Sequence, residues 1–439
     1  MARLVIGNWG NEAELANIPA DALRHAGSQG QRMIWGAEPG DVLVLAVEPD
    51  PDFLAYATAL AGLEEDALEI VVPPPGRGGE VLTRDRFEDE GFVERLRGIV
   101  RDRGIDRAEP FYLDGYVNRL IRQLGLDKGT PGFGFMDQGG NELLNSKVTF
   151  RAIAAGTSLP IPEGIVTETP AEAVDFVWDL LRTGRAAIAK QDVSSGGLGN
   201  EVLSTGDGVE AIGAAHHALV ADRAAVAEHL TRRWPWYTGG QRRRAVFEEY
   251  AAGSVPIWGE AAITEESVRI FGYGRIRMNP VCDGVIIPVP PPDSGTEAFG
   301  AFLVHLEALA GTMRAMGYRG LVNVDAILTP DGRVLFNEFN GRYGGSTHLF
   351  AIGERVVGRD YLADRCLVEQ RECAFPAFAV ARRELAAAGL AYDPETRTGV
   401  IVPVHGTRSD GTGGEACLVG RDLAEAERME QAVAELFPR

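Results

Sequence analysis

The stretch from residue 321 to residue 346 constrains the fold most, because it predicts a β-hairpin that brings acidic side chains together. Two β-rich runs flank Pro330-Asp331-Gly332, where Pro presets φ and Gly accepts the positive φ of a tight turn. With a connection of two or four residues, Asp325 lies opposite Glu338 or one diagonal away. Strand alternation then keeps Asn340 on the same face as Glu338, whereas a three-residue connection would break this arrangement.

Two neighbouring carboxylates on this hairpin predict a bound divalent cation. The carboxylates repel each other, and apolar neighbours add a desolvation cost, so a cation allows both to stay ionised. Asp325, Glu338 and the amide oxygen of Asn340 are hard ligands that leave coordination positions free. This suits Mg²⁺ carrying phosphate and water better than a closed structural site. The alternative is a hairpin whose acids face water or pair with Arg342.

The length and composition indicate a soluble globular chain with several domains. Its 439 residues suffice for two to four domains, and a hydrophobic content of 45% is ample for several cores. No run approaches the roughly 20 apolar residues that span a bilayer. Residues 1–8 lead straight into a strand without the apolar core of a signal peptide, so we expect a cytoplasmic protein.

The net charge and the cysteines argue against several classes of partner. A charge of −20 gives no long-range attraction to nucleic acid or to an anionic membrane, so neither is expected as a partner. A nucleotide site would therefore need its own local positive field. The four cysteines show no CxxC spacing, and we expect reduced thiols rather than zinc ligands or disulfides.

Lysine is scarce in this chain, and the positions that keep it are candidates for phosphate contacts. Of 43 basic side chains only three are lysines, namely Lys128, Lys147 and Lys190. Lysine presents a compact ammonium where arginine presents a broad fork, and that difference matters beside a phosphate in a tight pocket. Lys147 opens a predicted helix, and Lys190 lies at the end of a predicted strand.

Apolar runs alternate with helical stretches over the first ~125 residues, which is typical of βαβ units around a parallel sheet. A helix is predicted at residues 13–26, and a glycine-rich linker at residues 128–140 separates this part from the next. A further helix is predicted at residues 211–230 and would carry His216 and His217. Because these histidines are adjacent, they would lie on different faces and would not bind one metal ion.

The strand that ends at Lys190 leads into a candidate anion site. Residues 194–200 read Ser-Ser-Gly-Gly-Leu-Gly-Asn, and a hairpin with such a tip can direct backbone N–H groups and the Lys190 ammonium at one anion. An ordinary flexible hairpin is the alternative. Arg275 and Arg277 share one face of a later predicted strand, which indicates either an anion opposite them or ion pairs with local acids.

The order of these features carries a resemblance to a known family. A βαβ domain is followed by a helix opening at Lys147, the Lys190 strand with its hairpin, a strand ending in Glu248-Glu249-Tyr250, and the acidic hairpin closed by Asn340-Gly341-Arg342. Over roughly residues 143–350 this series resembles the ATP-grasp superfamily. The resemblance implies an α/β fold with a parallel N-terminal domain and a two-lobed ATP-grasp body.

The resemblance also implies domain boundaries. Residues 1–140 would form a βαβ domain that precedes the grasp, and residues 141–252 the N-terminal lobe with a glycine-rich flap. Residues 253–358 would form the C-terminal lobe with the metal site, and residues 359–439 a small αβ domain.

Carried over position by position, the resemblance implies an ATP site and a Mg²⁺ site. The residues implied to contact ATP are Lys147, Lys190, Ser195, Gly196, Gly197, Glu248 and Ala251. Among them, the Ser-Gly-Gly run would form a mobile flap over the phosphates, and Glu248 would be the hinge acid near the adenine amine. The implied Mg²⁺ ligands are Asp325, Glu338 and Asn340, and the implied catalytic cations are Arg277 and Arg342. At residues 253–255 the chain lacks the ribose-binding Glu of many members.

The chemistry implied by the resemblance joins a carboxylic acid to an amine. The carboxylate attacks the γ-phosphorus of ATP, and the amine then displaces phosphate from the acyl phosphate, leaving ADP. Residues 4–8, 145–147 and 334–345 resemble, more closely, peptide ligases of pheganomycin-type antibiotic biosynthesis. That resemblance implies a guanidino amino acid as the acid and the amino end of a peptide as the amine.

Several alternatives stay open on the sequence. They are a small acid joined to a small amine, a biotin-carboxylase-like reaction, and a non-catalytic ATP-binding module on the same fold. The number of subunits is not fixed, and a homodimer is one option. A protein kinase is disfavoured because Lys190 precedes the glycine-rich loop and no HRD or DFG series occurs. A P-loop is excluded because no Gly-Lys-Ser/Thr is present.

Overall fold

The computed structural model describes residues 2–9, 23–64, 66–77, 79–240, 244–406, 408 and 411–438. Most of the helix predicted at residues 13–26 lies outside these ranges. None of the helices within them combines the length and the apolar composition needed to cross a membrane.

The N-terminal domain contains a parallel four-stranded sheet with the order β3-β2-β1-β4. Its strands are β1 (Leu4–Ile6), β2 (Val42–Val44), β3 (Glu69–Val71) and β4 (Ala108–Pro110). Its helices are α1 (Leu23–Ser28), a 3-10 segment (Gln29–Gly36), α2 (Pro51–Leu60), α3 (Arg84–Phe87), α4 (Glu90–Arg103) and α5 (Gly115–Gln123). Asp50, Asp89 and Asp114 cap α2, α4 and α5 by accepting hydrogen bonds from first-turn N–H groups. The predicted parallel domain is confirmed.

The glycine-rich residues 128–140 are partly helical, unlike the predicted linker. The helical turns there are α6 (Phe133–Phe135), a π-helical turn (Met136–Gly140) and α7 (Asn141–Leu143). Phe133 and Met136 are buried in a core that also takes in residues of the N-terminal sheet. Burial of these two large apolar side chains outweighs the low helix propensity of the glycines.

A five-stranded sheet with the order β5-β9-β6-β7-β8 forms the next lobe. Its strands are β5 (Gly164–Thr167), β6 (Ala186–Lys190), β7 (Asn200–Ser204), β8 (His216–Leu219) and β9 (Ala245–Tyr250). The helices of this part are α8 (Lys147–Gly156), α9 (Pro170–Leu181) and α10 (Arg223–Tyr237). Apolar side chains of α9 and α10 pack with β6, β7 and β9 in one core. This packing fixes β6, which ends at Lys190.

The helix predicted at residues 211–230 is wrong in its first half. Residues His216 to Leu219 form β8, which pairs in parallel with β7, and the His217 ring contacts Ser204 Oγ at 2.8 Å. The helix begins only at Arg223, because Asp222 caps it by accepting a hydrogen bond from Ala225 N–H. Pairing to a neighbouring strand overrides the local helical pattern here.

An eight-stranded sheet with the order β14-β13-β10-β11-β12-β15-β17-β16 forms the largest part of the molecule. Its first five strands in the chain are β10 (Val255–Ile263), β11 (Val268–Met278), β12 (Cys282–Ile287), β13 (Gly320–Leu328) and β14 (Val334–Asn340). Between β12 and β13 lie a 3-10 turn (Asp293–Gly295) and α11 (Glu297–Met316). Phe302, Leu306 and Met313 of α11 are buried against the sheet, as their helical spacing predicts.

The segment beyond residue 358 continues the same sheet. Its strands are β15 (Cys366–Gln370), β16 (Gly399–Val404) and β17 (Glu415–Gly420). Between β14 and β15 lie α12 (Thr347–Ile352), a π-helical turn (Gly353–Val357) and α13 (Tyr361–Asp364), and the later helices are α14 (Phe378–Ala387) and α15 (Leu423–Leu436). Because β15 pairs with β12, the domain boundary expected at residue 358 falls inside one sheet.

Candidate active site

The hairpin of β13 and β14 places Asp325 directly opposite Glu338. The expected connection of two or four residues is wrong. Thr329 N–H donates to Arg333 O at 2.9 Å, which leaves Pro330-Asp331-Gly332 as a three-residue tip. Such a tip alone would break the pairing, but the register shifts between Asp325 and Ala326. Asn337 is the extra residue in this β-bulge, and it restores the alignment.

Asp325 and Glu338 have opposite pKa shifts. Burial and the charge of Glu338 raise the pKa of Asp325 well above its usual value. Burial also opposes ionisation of Glu338, but Lys147, a hydrogen bond with Asp325 and the charge of Lys190 together outweigh it and lower the Glu338 pKa to about 2. The ion pair joins Lys147 Nζ to Glu338 Oε2 at 2.8 Å. The site thus holds two facing carboxylates of unequal proton affinity, and this donor set fits a divalent cation that replaces the proton of Asp325.

Asn340 and Arg342 lie beside this pair in a different arrangement from the one expected. The Asn340 amide nitrogen lies 3.5 Å from Glu338 Oε1, while its oxygen accepts a hydrogen bond from Arg342 Nη2 at 3.0 Å. Arg342 Nε also donates to Asn145 Oδ1 at 3.1 Å. The amide oxygen predicted as a metal ligand is therefore engaged by the predicted catalytic arginine.

A cleft of about 330 Å³ lies between the five-stranded and eight-stranded sheets. It brings together most of the residues that the sequence assigns to ATP and Mg²⁺, namely Lys147, Lys190, Gly196, Gly197, Glu248, Ala251, Asp325 and Glu338. Ser194 lines the cleft where Ser195 is expected, and Asn340 and Arg342 stand outside its described lining. Two lysines and the carboxylates of Glu248, Asp325 and Glu338 thus line one cleft.

Glu248 is held between two cations at the wall of the cleft. It lies on β9 opposite Ile188 of β6, and its side chain is 1% exposed. Lys190 Nζ lies 2.5 Å from Glu248 Oε2, and Arg151 of α8 pairs with the other carboxylate oxygen. The buried side chain of Glu248, two residues before the end of β9, therefore sets the position of the Lys190 ammonium.

The glycine-rich hairpin closes over the same space. Lys147 Nζ donates to Ser194 O at 2.8 Å, and Lys147 N–H donates to Asp192 O at 3.1 Å. Gly196 and Gly197 have φ values of 61° and 86°, which other residues rarely adopt. Gly196 O accepts a hydrogen bond from Cys282 N–H of β12 at 3.1 Å, so the hairpin tip contacts the opposite lobe.

Arg277 does not face the cleft, which corrects its predicted catalytic role. Its neighbours Ile276 and Met278 line the cleft, so strand alternation turns Arg277 away. Arg277 Nη1 lies 2.6 Å from Glu430 Oε1 of α15. Arg275 Nη1 lies 3.8 Å from Asp293 Oδ2. Both arginines therefore form ion pairs with acidic side chains, which was the alternative to a bound anion.

The apolar lining of the cleft was not predicted from the sequence. Its larger apolar residues are Pro162, Ile188, Ile212, Pro256, Ile276, Met278 and Ile327. Ile188 lies two residues before Lys190 on the same strand. Strand alternation could therefore have predicted that its side chain also faces the cleft. At the position of the absent ribose-binding Glu, Ser254 Oγ donates to Ala251 O at 2.7 Å.

Two family models match parts of the chain. Residues 30–126 match the Pre ATP-grasp domain, and residues 379–433 match the PGM1 C-terminal domain. A search of curated protein sequences finds no significant match.

Solved structures similar to this chain cover almost its whole length. The biotin carboxylase domain of Hydrogenobacter thermophilus 2-oxoglutarate carboxylase, solved with MgADP, ADP and bicarbonate, has a TM-score of 0.57 at 12% identity and covers 99% of this chain and 90% of its own. The N5-carboxyaminoimidazole synthase of Aspergillus clavatus, in complex with ADP and 5-aminoimidazole ribonucleotide, has a TM-score of 0.54 at 14% identity and covers 100% and 99%.

The L-amino acid ligase from Bacillus licheniformis has a TM-score of 0.52 at 14% identity and covers 99% of this chain and 97% of its own. At such identities the likeness concerns the fold. Residues 30–126 therefore match a Pre ATP-grasp domain, and the whole chain has the α/β fold of these solved structures, with a parallel sheet at its N-terminus as expected.

Proposed function

We propose that this protein is an ATP- and Mg²⁺-dependent ligase that joins a carboxylic acid to an amine and releases ADP. One observation carries the proposal: Lys147, Lys190, Asp325 and Glu338 line a single cleft. Two ammonium groups and two carboxylates are the side chains needed to hold a triphosphate with its metal ion. Similar folds solved with ADP and MgADP support the choice of nucleotide.

Some residues of the cleft bind the nucleotide, and others protect the acyl phosphate from water. Lys147 and Lys190 bind phosphate oxygens, and residues 250–253 lie beside the adenine-binding wall. Mg²⁺ held by Asp325 and Glu338 would supply charge neutralisation for the phosphates. The hairpin at residues 194–200 excludes water, which would otherwise hydrolyse an acyl phosphate. Arg342, which donates to the Asn340 oxygen, stabilises the negative charge of the transferred phosphoryl group.

The finer proposal concerns the substrates. The resemblance of residues 4–8, 145–147 and 334–345 to pheganomycin-type peptide ligases supports a guanidino amino acid as the acid and a peptide amino end as the amine. The product would be an amide bond in a peptide antibiotic. A net charge of −20 also favours cationic substrates. The second candidate is a ligase for two small amino acids, supported by the likeness to the L-amino acid ligase over nearly both chains.

A screen with Mg-ATP tests the proposal. Guanidino amino acids and a pool of tripeptides with free amino ends are incubated with the protein, and ADP and new amides are measured by mass spectrometry. We expect Glu338→Ala to lower ADP formation at least about a hundredfold because the metal loses a ligand. Asp331→Asn, on the exposed turn of the same hairpin, is the matched control and should keep full turnover.

Each outcome of the screen has a clear meaning. Full turnover by Glu338→Ala would remove the metal assignment. Nucleotide binding without ADP formation for any pair would favour the non-catalytic module. Amides formed only between small amino acids would select the second candidate.

A further inference from the structure

A second group of buried charged side chains lies outside the cleft, and we call it the inner cluster. Its members are Arg32, His348, Glu369, Arg371 and Glu415. His348 and Glu369 are 0% exposed, Glu415 is 2% exposed, and Arg32 is 3% exposed. Arg32 Nη2 lies 2.5 Å from Glu415 Oε1, and Arg371 Nε lies 3.0 Å from Glu369 Oε2. Each carboxylate thus uses one oxygen for an arginine.

Several buried polar atoms of the inner cluster have no hydrogen-bond partner among the described residues, including two carboxylate oxygens and the acceptor and donor nitrogens of His348. Glu369 Oε1, Glu415 Oε2 and both ring nitrogens of His348 make no hydrogen bond within the described part of the chain. One potential ligand atom from each of His348, Glu369 and Glu415 lies within 4.8 Å of the others. Buried polar atoms are nearly always hydrogen-bonded, so three convergent orphans indicate a ligand that donates hydrogen bonds.

The charge of the inner cluster limits the charge of that ligand. Burial, with Arg32 and Arg371 close by, lowers the pKa of His348 well below its usual value, so its imidazole is neutral. With both glutamates ionised, two arginines and two glutamates sum to zero; burial raises the pKa of Glu369, and the charge of Arg371 opposes this rise. A divalent ion would leave two uncompensated buried charges beside two guanidinium groups, whereas a monocation leaves one.

The spacing of the three residues also accommodates a monocation with N–H donors. An ammonium group offers three N–H donors, and at N···O distances of about 2.9 Å its tetrahedral acceptors lie about 4.7 Å apart. A metal ion bound at about 2.1 Å holds its ligand atoms no more than about 4.2 Å apart. The three atoms are separated by up to 4.8 Å, which leaves room for an ammonium group among them.

The inner cluster lies next to the reaction cleft. Burial raises the pKa of the Cys282 thiol, Arg371 lowers it, and Glu369 and Asp325 both raise it, which places all three charges near Cys282. Cys282 N–H also contacts the hairpin tip at Gly196 O. Arg371, with a side chain 24% exposed, stands at the boundary between the cluster and solvent. A substrate that reaches into the cluster therefore stays close to the metal carboxylates.

We propose that Glu369, Glu415 and His348 bind the primary ammonium group of the amine substrate, and that one of these three side chains accepts the proton that the nitrogen gives up before it attacks the acyl phosphate. This inference rests on the proposed ligase function and gives it an amine site. Arg32 and Arg371 orient the two carboxylates toward the ammonium.

The test separates activation of the acid from capture of the amine. Hydroxylamine at pH 8 is neutral and traps the acyl phosphate as a hydroxamate, so it does not need an ammonium site. In a parallel assay the tripeptide pool with free amino ends is the acceptor. We expect Glu369→Gln to raise the KM for the peptides at least tenfold and to change hydroxamate formation less than twofold. His348→Leu should raise the peptide KM several-fold without altering the buried charge.

The control is Glu260→Gln. Glu260 is also 0% exposed and lies in the same sheet, but its oxygens accept hydrogen bonds from Trp258, Asn323 and Thr347. This variant reports the cost of a buried Glu-to-Gln change and should leave the peptide KM unaltered.

The outcomes are distinguishable. An unchanged peptide KM in both cluster variants, or an equal loss in both assays, would overturn the ammonium site and leave the ligase standing. Stoichiometric Zn²⁺ that His348→Leu loses and Glu338→Ala retains would show a metal site instead. No hydroxamate from the wild-type protein would overturn the ligase proposal itself.

Discussion

At the scale of single residues, the facing carboxylates and the lysines are the groups proposed to bind the metal ion and the phosphates. Asp325 and Glu338 were predicted as neighbours from the turn and from strand alternation, and the ladder pairs them directly. The Lys147 ion pair to Glu338 was not predicted, because it depends on how two lobes meet. Sequence periodicity describes one element at a time and carries no information about such contacts.

The raised pKa of Asp325 predicts a conflict between stability and activity. A carboxyl group whose pKa is higher in the folded state contributes its full stabilisation of the fold when the pH is below its pKa in the unfolded state, near 3.8. This stabilisation is lost as the pH rises through the pKa of the folded state. Asp325→Asn keeps the neutral form at all pH values. At pH 7 without metal we expect it to raise the free energy of unfolding by about 1 kcal/mol or more, while ADP formation is lost.

Denaturant unfolding from pH 4 to pH 7 measures this effect. The gain from Asp325→Asn should grow with pH and disappear near pH 4. A variant less stable than wild type at pH 7 would contradict the assigned repulsion.

Lys190 and Arg151 hold the same carboxylate and allow a matched comparison. Lys190 lines the cleft, whereas Arg151 stands outside its described lining. We expect Lys190→Met to weaken ADP binding at least tenfold, because a phosphate loses its ammonium. Arg151→Met should lower the melting temperature with a smaller effect on ADP binding. Equal losses of ADP affinity, measured by calorimetry, would remove the phosphate role of Lys190.

At the scale of elements, the two hairpins and the segment around His216 show where local sequence patterns predict the structure and where they do not. The tip of the acidic hairpin has an odd number of residues, and only the bulge at Asn337 restores the predicted pairing. A bulge follows from packing on both faces of a sheet, so the sequence does not reveal it. The predicted helix over His216 failed for a similar reason, because β7 offers a free edge to β8. The glycine-rich hairpin after Lys190 was located correctly because its glycines mark a turn.

The glycine-rich hairpin yields a prediction of its own. Gly197 has a φ of 86°, and a Cβ there would lie 2.8 Å from Gly213 O. We expect Gly197→Ala to destabilise the closed hairpin by about 1 kcal/mol, lower amide formation several-fold, and raise the share of ATP hydrolysed without product. Gly206→Ala is the control, since a Cβ there meets nothing within 4 Å. An unchanged ratio of ADP to amide would contradict the water-excluding role.

At the scale of the whole molecule, the eight-stranded sheet joins parts that the sequence separates. The parallel N-terminal domain and the two lobes could be predicted from alternating apolar patterns and motif order. The C-terminal strands could not be assigned to the sheet, because β15 pairs with β12 across about 80 residues of chain and such pairing has no local signal. Glu430 of α15 also pairs with Arg277 of β11, which explains why Arg277 is unavailable to the cleft.

Truncation tests this continuity. Removal of residues 365–439 exposes the edge of β12 and the side chains of Ile286, Ile287 and Leu349, which share a buried core with the removed strands. We expect the shortened chain to be insoluble or to lack a cooperative unfolding transition. A soluble truncated chain with an unchanged melting temperature would instead support an independent C-terminal domain.

The central claim is that one cleft holds a nucleotide through a metal ion on the acidic hairpin and ammonium groups on the facing lobe. Calorimetric titration of ADP with and without Mg²⁺ tests it most directly. The account predicts that Mg²⁺ tightens ADP binding to the wild-type protein, that Glu338→Ala loses this gain, and that Lys190→Met weakens binding in both conditions. ADP affinity that is indifferent to Mg²⁺ and to both substitutions would contradict it.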